Sequence, residues 1–83
     1  MDRNEVFETL KDAAVEVLGV TRDQVVETAK FKEDLDADSL DLVELVMALE
    51  ERLDISVPEE DLEGVETVGN ALDLVAGKLA ASA

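Results

Sequence analysis

The chain has 83 residues, no cysteine, no histidine and a formal charge of −15. That length makes one small domain over residues 1–83 with a thin core. Disulfides, thiol nucleophiles, cysteine- or histidine-held metals and Ser-His-Asp catalysis are excluded. Nucleic acid, which needs a basic surface, is not an expected partner.

The first helix is expected over residues 4–18, where Val6, Phe7, Leu10, Ala14, Val17 and Leu18 recur at helical spacing and Gly19 supplies a stop. Thr21 and Gln24 have capping-box spacing and open a short turn through Val26. A loop over residues 27–38 follows, with Phe31 and Leu35 as inward anchors. The second helix is expected over residues 39–53 with Asp38 as N-cap. Pro58 suits the first turn of a short third helix, and Glu59, Glu60 and Asp61 complement its N-terminus. The last helix is expected to start after Thr67 and reach about Leu79, with Val68, Leu72, Val75 and Leu79 as its stripe. Residues 80–83 read as a frayed tail. No segment alternates long enough for a sheet, and no repeat or linker is visible. The expectation is an all-α fold, a small four-helix bundle with three longer helices and a short third one. No apolar run is long enough to span a membrane and no signal peptide precedes the first helix, so a soluble, cytoplasmic monomer is expected.

The run Asp34 to Leu45, DLDADSLDLVEL, admits three readings. Asp34, Asp36 and Asp38 could begin a calcium loop. Such a loop needs glycine at its sixth place and a bidentate glutamate at its twelfth, but Ser39 and Leu45 stand there and Glu44 falls one short. No specific metal site is expected. A second reading makes Ser39 a helix start. A third makes it chemically active. It is a poor nucleophile on its own, since Asp38 and Asp41 are weak bases near neutral pH. It fits better as a modification site, and a phosphoryl group there would meet the positive helix end while Asp38 opposed it. That balance does not name the modification.

On a helical wheel Leu42, Leu45, Val46, Leu49 and Leu53 gather on one side of the second helix. Leu40, Val43 and Met47 gather on nearly the opposite side, ringed by Glu44, Glu50 and Glu51 with Asp41 nearby. The second strip is either more core or a docking surface. The carboxylates favour docking, because a core strip seldom carries so many.

The run Asp38 to Glu51, DSLDLVELVMALEE, resembles the signature of acyl carrier proteins. The resemblance extends to Leu18–Val20, Phe31–Leu35, Val57–Pro58 and Thr67–Gly69, nearly the whole chain. It implies a four-helix bundle and a 4′-phosphopantetheine group on Ser39, in the context of Asp38 and Leu40. A phosphopantetheinyl transferase would install the group from coenzyme A, and its thiol would hold acyl chains as thioesters. The chain itself would not be an enzyme. By position, partner enzymes with basic docking patches would meet Asp38, Asp41, Glu44, Glu50, Glu51 and Glu59, with Leu40, Val43 and Met47 as the apolar contacts. Leu49, Leu62, Val65 and Ala71 are the candidates to line an acyl cavity. Asp36 stands where many relatives have glycine, Lys32 where many have an apolar residue, and Arg52 interrupts the acidic helix. The pathway expected from the resemblance is type II fatty acid synthesis, with a carrier of a discrete polyketide synthase as the alternative. Peptidyl carriers fit less well, since their serine follows a glycine-rich run. A calcium buffer and a plain acidic adaptor are the rivals of a different class.

Overall fold

The computed structural model describes residues 2–82. Three α-helices carry the fold: α1 (Arg3–Leu18), α2 (Ser39–Leu53) and α3 (Val68–Ser82). Helix α1 packs against both α2 and α3, which approach each other little.

Each helix starts on a side chain that answers an orphan backbone N–H group. Asp2 caps α1 by accepting from the Glu5 N–H at 2.9 Å. Gly19 ends it in the left-handed region, φ 71°, its N–H donating to the Val15 carbonyl. A residue with a Cβ resists that conformation, which is why glycine stands there. Thr67 and Asn70 cap α3 reciprocally. The Asn70 N–H donates to Thr67 Oγ1 at 3.1 Å, and the Thr67 N–H donates to Asn70 Oδ1 at 3.1 Å. Helix α3 continues to Ser82, beyond the end expected near Leu79. Ala83, the last residue of the expected frayed tail, lies outside the described residues.

Two short 3-10 turns complete the chain, Arg22–Gln24 and Glu59–Leu62. At the first, Gln24 Oε1 accepts from the Thr21 N–H at 2.9 Å, as the capping-box spacing implied. The second corrects the sequence reading. The expected short third α-helix is a four-residue 3-10 turn, so the described residues hold three α-helices rather than four. Three consecutive carboxylates there repel one another, and only Leu62 is apolar. So short a segment lacks the buried face that would sustain an α-helix.

The core is dry. Leu10, Leu45, Leu49, Leu72, Val6, Val25, Val68 and Val75 are fully buried, and no polar or charged residue is buried among the described residues. Burying each such leucine is worth about 1.5–3 kcal/mol. Phe31 and Leu35 do point inward from the long loop, as expected. Ala13, outside the expected α1 stripe, is also fully buried.

The long loop is tied to the start of α3 by a short backbone ladder. Phe31 N–H donates to the Glu66 carbonyl at 3.0 Å, Val68 N–H to Ala29 at 2.9 Å and Gly69 N–H to Glu27 at 2.9 Å. Lys30 and Thr67 form an isolated antiparallel bridge. The approach is so close that a Cβ on Gly69 would lie 3.0 Å from the Glu27 carbonyl oxygen. Arg3 fastens the same corner from outside, pairing with Glu27 and Asp73. Those two carboxylates, Glu27 first, raise the guanidinium above its ordinary pKa. This ladder holds the loop that precedes α2, and so fixes where α2 begins.

Candidate functional site

Ser39 is the first residue of α2 and is exposed. It does not cap the helix. Asp38 does, accepting from the Asp41 N–H at 2.9 Å, while Asp41 Oδ2 accepts from the Asp38 N–H at 3.2 Å. The Ser39 hydroxyl therefore has no structural task, and makes no hydrogen bond among the described residues. Two of the three acids that suggested a calcium loop, Asp34 and Asp38, are spent elsewhere. Asp34 accepts from the Lys30 N–H at 2.7 Å. Asp36 sits exposed in the left-handed region at φ 54°. Asp38 is the cap.

Beside Ser39 opens a cleft of about 400 Å³. Its apolar surface comes from Phe31, Ala37, Leu42 and Val65, and its polar rim from Lys30, Lys32, Glu33 and Glu66, with Asp38 and Ser39 at the same edge. The volume lies within the range of small-molecule pockets. Three segments meet there: the long loop, the first turn of α2 and the stretch before α3.

The residues expected to line an acyl cavity are dispersed. Val65 lines this cleft. Leu49 and Ala71 are fully buried in the core and Leu62 is half-buried, and none of these three lines the cleft. Phe31, Ala37 and Leu42 were not among the expected lining residues. Their only sequence signal was apolar character next to the Asp-Ser-Leu motif. Leu42 packs against the core, as its periodicity implies, and also faces the cleft; a helical wheel cannot show that the core has an opening beside it.

The opposite strip of α2 lies on the surface. Leu40 is 65% exposed and Met47 58%, while Val43 is half-buried. Glu44, Glu51 and, on the second 3-10 turn, Glu59 are exposed. Three of the expected acidic contacts, Asp38 as the cap, Asp41 and Glu50, already have partners within the fold. Asp41 closes the capping box, and half-buried Glu50 accepts from the Val57 N–H at 3.0 Å, holding the segment after α2. The expected acidic contacts most available to a partner are thus Glu44, Glu51 and Glu59.

A family model described as the phosphopantetheine attachment site matches residues 8–75. The acyl carrier protein of Saccharopolyspora erythraea is 49% identical, covering 100% of this chain and 92% of its own length. That of a Sulfurovum species is 51% identical over 84% of this chain and 93% of its own. A solved structure of the acyl carrier protein from Enterococcus faecalis, reported for its high thermal stability, superposes with a TM-score of 0.74 at 33% identity, covering 94% of this chain and 99% of that one.

Proposed function

Since the chain belongs to the acyl carrier protein family, with 4′-phosphopantetheine as its cofactor, we propose that Ser39 is the attachment residue and that the protein delivers growing acyl chains to the enzymes of fatty acid synthesis. The observation that carries this reading is the exposed, uncommitted Ser39 hydroxyl at the edge of an apolar-walled cleft.

The residues present suit the group. Asp38 rather than Ser39 caps α2, so esterifying the serine oxygen removes no cap. The chain has neither histidine nor cysteine, so a transferase must supply the base that takes the serine proton, and the bound group supplies the thiol. In this reading residues 1–83 act as one carrier domain and as no enzyme, working as a cytoplasmic monomer. Leu40, Val43 and Met47 dock to basic partners with Glu44 and Glu51 as their acidic rim. Desolvating Leu40 or Met47 contributes about 1.5–3 kcal/mol each, and the carboxylates chiefly raise the association rate.

The cleft favours an alkyl cargo. Each methylene withdrawn from water there contributes roughly 0.8 kcal/mol. Entry into the packed core beyond, towards Leu49 and Ala71, is opposed by about 1–3 kcal/mol of overpacking. Short chains therefore occupy the cleft, and longer ones must part the helices to gain more.

Two measurements test the reading. Incubation with coenzyme A and a broad-specificity phosphopantetheinyl transferase adds one phosphopantetheine mass to the wild type and none to a folded Ser39→Ala variant. Modification of that variant would overturn the assignment of Ser39. The unfolding midpoint of the loaded protein then rises with saturated chain length and levels off. A midpoint indifferent to the acyl chain would argue against sheltering and leave the polyketide carrier as the better reading.

A further inference from the structure

The chain has seven basic side chains against 22 acidic ones. Arg3, Lys11, Arg22, Lys30, Arg52 and Lys78 each lie within ion-pair distance of a carboxylate. Lys32, among the described residues, does not, although acids outnumber bases threefold. It is exposed, and it lines the same cleft as Ser39. A lone cation on so acidic a chain is attracted by any anion placed nearby. The phosphodiester formed on Ser39 is such an anion, and its closest charged neighbours in sequence, Asp38 and Asp41, both repel it.

We propose that Lys32 is a positioning residue for the prosthetic group: its ammonium pairs with the phosphodiester on Ser39 and draws the base of the arm towards the cleft, away from Asp38 and Asp41. The inference rests on the assignment of Ser39. It assigns a task to a cation that the fold leaves without a carboxylate. Lys30 shares the rim but is already held by Glu33 at 3.5 Å, so it offers the weaker attraction.

The test is a thermodynamic cycle on apo and fully modified protein for wild type, Lys32→Gln, Lys32→Glu and Lys32→Arg. The readout is the difference in unfolding midpoint between the modified and apo forms. Any general effect of a substitution on the fold cancels in that difference. At low salt, modification lowers the midpoint of Lys32→Gln by about 1–4 °C more than that of wild type, as expected for one exposed ion pair in a small domain. The added loss in Lys32→Glu is about twice as large, and Lys32→Arg behaves like wild type. In about 1 M salt, where the Debye length is roughly 3 Å, the differences collapse. Equal modified-minus-apo differences in all four proteins would overturn the proposal while leaving Ser39 as the attachment residue. A wild type that gains no phosphopantetheine mass, or gains it at another residue, would overturn both.

Discussion

Gly69 and Gly77 lie on the same helix, and replacing each by alanine should change stability in opposite directions. At Gly69 the added methyl would lie 3.0 Å from the Glu27 carbonyl oxygen and 3.6 Å from the Glu27 Cβ. The obstacle is backbone, so no rotamer change relieves it. The same oxygen accepts the Gly69 N–H at 2.9 Å, so retreat of the loop lengthens that bond and disturbs the neighbouring Val68–Ala29 and Phe31–Glu66 bonds. Overpacking of this kind costs about 1–3 kcal/mol. The better helix propensity of alanine returns at most about 1 kcal/mol, less in the first turn. The expected net loss is about 0.5–2 kcal/mol. At Gly77 nothing lies within 4 Å of the new methyl, and the residue is exposed in the body of α3. There only the propensity gain of about 0.8–1 kcal/mol remains. For a domain of this size 1 kcal/mol moves the midpoint by about 4–8 °C. Thermal unfolding followed by helical circular dichroism should therefore show Gly77→Ala several degrees above wild type and Gly69→Ala several degrees below. If Gly69→Ala is stabilised as much as Gly77→Ala, the ladder between the long loop and α3 yields freely, and the view that it fixes the start of α2 is wrong.

Asp54 ends α2 in the left-handed region at φ 54°, with its carboxylate at the negative end of the helix dipole. Asp54→Gly relieves both penalties and, after the extra backbone entropy of glycine, should stabilise by roughly 1 kcal/mol in urea unfolding; an unchanged or lower midpoint would refute this. Asp38→Ala removes the cap on α2 and should cost about 1 kcal/mol, whereas Asp38→Ser should retain most of it; equal losses in the two variants would mean that the cap contributes little. For binding to a native synthase enzyme, Glu44→Lys should slow association in a salt-sensitive manner, and Met47→Ala should speed dissociation with little salt dependence. Wild-type kinetics in both would remove α2 as the docking surface. Val65→Trp, which fills the cleft beside Ser39, should abolish the chain-length dependence of the midpoint while leaving phosphopantetheine attachment intact. Persistence of the dependence would move the shelter elsewhere.

What the sequence by itself determined is local in origin. The span of α2 and its Asp38 cap follow from an apolar period and a side chain three residues from its backbone partner. The same reasoning placed Gly19 at the end of α1 and joined Thr21 to Gln24. The exposed strip of Leu40 and Met47 was legible because carboxylates ring it, and a strip buried in a core seldom carries so many. The Asp-Ser-Leu motif and its flanks carried the family. Tertiary structure decided whatever depends on segments distant in the chain. The cleft beside Ser39 draws its apolar wall from Phe31, Ala37, Leu42 and Val65, which come together only when Phe31 bonds to Glu66 and Val68 to Ala29. That approach makes Gly69 necessary and leaves Gly77 free, although both are simply glycines in a helical pattern. Glu50 was expected among the docking acids, but the chain after α2 folds back and offers its Val57 N–H to that carboxylate. The segment Glu59–Leu62 carried every local sign of a helix start and still closed as a 3-10 turn, because a helix needs a face to bury and four residues with one half-buried leucine supply none.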